Sequence, residues 1–103
     1  MIGDFRPKKS YFECHVTCDD ASPNEARAVV EGLGWKFSRI DGDPIVGEGT
    51  RIYATRHFHR NKPRDEIEKI LVDVAEKMSS KGLTVTRIKI EHVVFDLLRV
   101  TRS

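Results

Sequence analysis

The sequence predicts an α+β fold, a four-stranded sheet with two helices on one of its faces, and three observations carry that prediction. Four segments alternate apolar and polar residues with period two, two segments repeat apolar residues at helical spacing, and their order is strand, helix, strand, strand, helix, strand. With 103 residues, 39% of them apolar and 33% charged, the chain is sized and balanced for one folded domain rather than for two domains or a disordered tail.

Residues 1–10, with Arg6, Lys8 and Lys9 around Pro7, have no periodicity and are expected to be a mobile basic lead-in; the domain is placed at 11–98 and a tail at 99–103. From Tyr11 to Cys18, Phe12, Cys14, Val16 and Cys18 share one parity and Tyr11, Glu13, His15 and Thr17 the other, which predicts a first strand with one apolar face. Ser22-Pro23-Asn24-Glu25 has capping-box spacing with proline at the first helical position, so a helix starts here. Its inner stripe is Ala26, Val29, Val30 and Leu33, with Gly32 or Gly34 as the left-handed cap. Trp35 to Ile40 reads as a short second strand with Trp35 and Phe37 on the same side, and Asp41 to Gly49 as a turn-rich loop.

Arg51 to Phe58 resumes the alternation, with Ile52, Ala54 and Phe58 on one face, Tyr53, Thr55 and His57 on the other, and Arg56 as the charged residue on the apolar parity. From Pro63 to about Ser80, Ile67, Ile70, Leu71, Val74, Ala75 and Met78 mark one helical face, while Asp65 with Lys69 and Asp73 with Lys77 stand in the favourable acid-first order on the wet side. Gly82 ends this helix, and Thr84 to Asp96 is a long last strand with Ile88 and Ile90 inward and Arg87, Lys89 and Glu91 outward. The order is that of the ferredoxin-like βαββαβ two-layer sandwich, an antiparallel four-stranded sheet with two helices on one face. Right-handed crossovers set the first and last strands side by side and, in this reading, run the first strand parallel to the third at the centre.

The other face of the sheet is left open, and parity supplies its residues: Glu13, His15 and Thr17 on the first strand, Tyr53, Thr55 and His57 on the third, Arg87, Lys89 and Glu91 on the last. Two histidines and two threonines fall on the central strands with acids and bases beside them, a set suited to charge and directional hydrogen bonds. His15, Thr17, His57 and Lys89 are expected to form one cluster. The predicted function is that of a small noncatalytic binding domain whose open face takes a small anionic ligand or a protein partner. A second copy closing the face as a homodimer is the other partner reading, and a plain wet face the third.

Other classes are disfavoured. Eighteen Lys and Arg against sixteen Asp and Glu leave a net charge of +2 without a clustered excess, and the open face offers only Tyr11 and Tyr53 for base stacking, so nucleic acid is not an expected partner. No apolar run approaches the roughly 20 residues that cross a bilayer, and Met1 to Arg6 lacks a signal-peptide core, so a cytoplasmic protein without membrane contact is expected. Cys14 and Cys18, on one strand about 13 Å apart, are beyond disulfide reach and are expected to be free thiols. No cofactor or metal is expected: Cys14 and Cys18 have no second pair of matching spacing, Asp41-x-Asp43 with Glu48 does not follow a calcium loop, and Gly47-Glu48-Gly49-Thr50 lacks a Walker lysine.

Two resemblances accompany this reading. His15-Val16-Thr17 resembles the His-x-Thr element of the two-histidine phosphoesterases, in which a histidine and a hydroxyl two apart on a strand point at one phosphate; Thr55-Arg56-His57 repeats the types in reverse order. That likeness implies a phosphoester-directed hydrolase using His15 and Thr17, the alternative to a binding domain. Over most of the chain, Tyr11-Phe12-Glu13-x-His15-Val16-Thr17, Tyr53-x-Thr55 and Lys89-Ile90-Glu91 followed by Asp96 resemble a group of small uncharacterised single-domain proteins with a ferredoxin-like fold. This resemblance implies that Glu13, His15, Thr17, Lys89 and Glu91 belong to one surface. The end, Leu97-Leu98-Arg99-Val100, is more apolar than in that group.

Overall fold

The structure, a computed structural model, describes residues 5–8, 10–19, 23–40, 51–94 and 96–99. Its elements in chain order are β1 (Phe5–Lys8), β2 (Tyr11–Asp19), α1 (Pro23–Gly32), β3 (Lys36–Ile40), β4 (Arg51–His59), α2 (Arg64–Ser80), β5 (Thr84–Val93) and β6 (Asp96–Arg99). Strands β2 to β5 form one antiparallel sheet in the order β3-β4-β2-β5, with α1 and α2 on one face, which is the expected βαββαβ sandwich. The central pair is antiparallel, not parallel as the sequence reading had it. The α1 crossover returns β3 parallel to β2, and the connection to β4 then reverses direction, so β4 must oppose β2.

Both helices end by the same device. Gly34 and Gly82 adopt φ of +80° and +88°, a region glycine enters without a Cβ clash. The Gly34 amide donates to the Glu31 carbonyl and the Trp35 amide to Val30, while Gly82 donates to Ser79 and Leu83 to Met78, the paired bonds of a Schellman motif. Trp35 and Leu83, the residues after each glycine, are buried with Val30 and Met78. Trp35 therefore closes α1 rather than opening β3. Proline opens α1 at its first position, Pro23, while Ser22 of the capping box and the loop at 41–49, with its acidic and glycine motifs, lie outside the described residues.

The core lies between the sheet and the helices. Cys14, Val16 and Cys18 from β2 and Ile52 and Ala54 from β4 meet Ala26 and Val30 from α1 and Ile67, Leu71 and Met78 from α2, all within 1% of complete burial. Both cysteines are free thiols. Arg56, on the apolar parity of β4, is exposed at its end, with its guanidinium 4.9 Å from the Phe58 ring centre.

Three local features depart from simple alternation. Thr17 faces Arg87 but Cys18 faces Val85, so Thr86 is the extra residue of a β-bulge, and its hydroxyl lies 3.4 Å from the Thr17 carbonyl. The bulge returns Val85 to the helix side, where it packs against the core. Ile88 is opposite Val16 and so on the helix side as expected, yet β5 is an edge strand and leaves Ile88 exposed. The last strand ends at Val93 rather than Asp96, and the lead-in is not featureless: β1 pairs antiparallel with β6, from Phe5 opposite Arg99 to Lys8 opposite Asp96. β1 and β6 form a two-stranded sheet of their own, with the same register offset as Tyr11 opposite Val93 in the four-stranded sheet.

Candidate ligand site on the open sheet face

Period two places the nine expected site residues on the face away from the helices, and cross-strand register arranges them in rows. Glu13 on β2 faces His57 on β4 and Glu91 on β5; His15 faces Thr55 and Lys89; Thr17 faces Tyr53 and Arg87. The last two rows, with Glu91, line a concavity of about 360 Å³, completed by Ser38 and Ile40 of β3. Glu13 and His57 stand beside it rather than in it.

His15 is the centre of the polar network. Its Nε2 lies 2.9 Å from Glu13 Oε1 and its Nδ1 2.9 Å from Thr55 Oγ1. A carboxylate only accepts, so Nε2 carries a hydrogen; Nδ1 then accepts from the Thr55 hydroxyl in the neutral ring and donates to its oxygen in the protonated ring. Thr55 can thus offer the concavity a lone pair in one state and a free hydroxyl hydrogen in the other. The second Glu13 oxygen is 3.7 Å from His57 Nε2, so Glu13 joins both histidines, and the His57 ring lies 4.7 Å from that of Tyr11. His57 is therefore coupled to His15 through Glu13 rather than through the concavity.

Charge at the β5 rim is mixed. Lys89 and Glu91 form an ion pair on one side of the strand, which holds the Glu91 carboxyl below its usual range. Arg87 is exposed in the next row, with no carboxylate opposite it: its neighbour across the strand is Thr17. Thr17, on this open face, is the one buried polar side chain among the described residues, at 6% exposure, so the floor of the face is recessed rather than fully wet. Beneath the face, burial pushes the Cys14 thiol up to about 11, helped by the Glu13 carboxylate, and raises Cys18 as well, so neither supplies a nucleophile at neutral pH.

Ser38 and Ile40 were absent from the sequence-derived set although parity held the signal: with Phe37 inward, Lys36, Ser38 and Ile40 must point outward. Among the described residues no group of three His, Cys, Asp or Glu side chains is arranged to hold a metal ion, and no helix is long and apolar enough to cross a membrane. His59 accepts the Asn61 amide on Nδ1 at 3.1 Å. Comparison with known protein families, with curated proteins and with solved structures finds no match to this chain.

Proposed function

We propose that the open sheet face is a recognition surface for a small anionic ligand, seated in the concavity between β3 and β5. The observation that carries this reading is the convergence there of Arg87 and Lys89 with the hydroxyls of Thr55, Tyr53 and Ser38 and the ring of His15. Its volume of about 360 Å³ lies at the lower end of small-molecule sites, which fits a phosphate-bearing molecule of modest size. Arg87 supplies a planar, permanently charged donor fork, the geometry that phosphate and carboxylate oxygens match best.

Recognition accounts for the network better than hydrolysis does. Both nitrogens of His15 already have partners in Glu13 and Thr55, and Thr17 is nearly buried, whereas a general acid or base needs a ring nitrogen within reach of the reacting group. Calorimetric titration with inorganic phosphate and with a mononucleotide tests the proposal. Arg87→Met is expected to weaken binding by about tenfold or more, the worth of one charge-assisted hydrogen bond, while leaving the melting temperature unchanged. Binding that is indifferent to Arg87, or the absence of heat with either ligand, overturns it.

A further inference from the structure

Among the described residues the four-stranded sheet has two edge strands, β3 and β5, and they are unequal. β3 presents five residues, Lys36–Ile40, whereas β5 presents ten, Thr84–Val93, without a proline or a glycine. Short strands, prolines, bulges and charges keep edges from pairing; β5 has one bulge, confined to its Thr84 end, and charges of both signs, Arg87 and Lys89 followed by Glu91. Of the four large apolar side chains exposed among the described residues, two lie along this edge, Ile88 at 42% and Val94 at 70%.

We propose that β5 pairs antiparallel with β5 of a second copy of this chain, centred on Ile90, joining two sheets into one of eight strands. Residues facing each other across such a pair project to the same side with Cβ atoms about 5 Å apart, so charge selects the register. Centred on Ile90, Lys89 of each copy faces Glu91 of the other, and the two Ile90 residues meet on the helix side. A centre at Ile88 sets Arg87 against Lys89 twice, a centre at Lys89 brings the two lysines together, and a centre at Glu91 brings two glutamates together. Ile90 is the one centre of these four that opposes no like charges.

Lys89 and Glu91 already pair within their own strand and are each 41% exposed, so they are placed to exchange an internal partner for one across the two-fold axis. In this register Ile88 faces His92 and Val94 faces Thr86 of the other copy, which covers both exposed apolar residues. Arg87, Lys89 and Glu91 also form the β5 rim of the concavity. The second copy therefore extends that rim and sets two concavities side by side on one continuous face.

Sedimentation equilibrium in phosphate-free buffer, which keeps the result separate from anion binding, is expected to give twice the mass of one chain. Lys89→Glu and Glu91→Lys each oppose like charges across the axis, and each is expected to weaken self-association by about tenfold or more. Mixing the two variants restores association, because every facing pair in the mixed dimer is again of opposite sign. A chain that stays monomeric at millimolar concentration, a dimer indifferent to both reversals, or variants that do not recombine overturns the proposal. Should either variant misfold, dilution of the unaltered chain gives an independent reading. The amides of β5 are expected to shift with concentration while those of β3 hold still, and the reverse pattern overturns the proposal equally.

Discussion

Along β2, neighbouring residues serve two surfaces built on different principles. Cys14, Val16 and Cys18 are sealed against the helices with no solvent exposure, while Glu13 and His15, between and beside them, keep about a quarter of their side chains in water and spend their polar atoms on one another and on β4. One face is held by removal of apolar area from water, which is nondirectional and summed over many contacts. The other is held by a few directional bonds in which each partner is specified. A substitution on the first face should be felt as lost stability, and on the second as lost recognition.

The largest expected effect breaks the helix-covered side. Leu71, on α2, is 1% exposed, and Leu71→Ala is expected to lower unfolding free energy by about 2–5 kcal/mol in a urea titration, because it removes the side chain and leaves a cavity. A loss as small as that of a surface change, about 0.5 kcal/mol or less, would mean that the two faces do not differ as described.

A smaller effect sharpens the same contrast by pH. The unfolded Cys14 thiol ionises near its ordinary value of 9.0, whereas in the fold it holds its proton to about 11. Between those values the folded state binds more protons, so its stability is complete below pH 9 and declines as pH rises toward 11. Urea midpoints across that range should fall for the native chain and fall less for Cys14→Ala. In native buffer at neutral pH both cysteines should label slowly with a thiol reagent and rapidly in denaturant; fast native labelling would place them on the wrong face.

How far these two surfaces could be read from sequence follows from what each depends on. Alternation along β2 and β4 and helical spacing in α2 are local, so Cys14, Ile52 and Leu71 announce their side of the sheet without any neighbour being known. The bulge at Thr86 and the ribbon of β1 with β6 depend on which residue lies opposite which, a property of the assembled ladder, and neither has a signature in its own segment. The same holds inside the site. That His15 and Glu13 share a face is legible from their separation of two, but that Thr55 sits across from His15 follows from the register of β4 on β2. The antiparallel sense of that pair was derivable from the element order alone, since a crossover followed by a reversal admits no other.

In the proposed function the helix-free face, and not the helix side, receives an anion. Amide and imidazole chemical shifts followed through a titration with inorganic phosphate test it most directly, since they report both faces in one experiment. Saturable shifts are expected at His15, Thr17, Tyr53, Thr55, Arg87 and Lys89 and none along the outer surfaces of α1 and α2. Shifts concentrated in the apolar groove between the helices, where Val29 and Leu33 face Lys77 and Lys81, would contradict it, as would a spectrum that phosphate leaves unchanged.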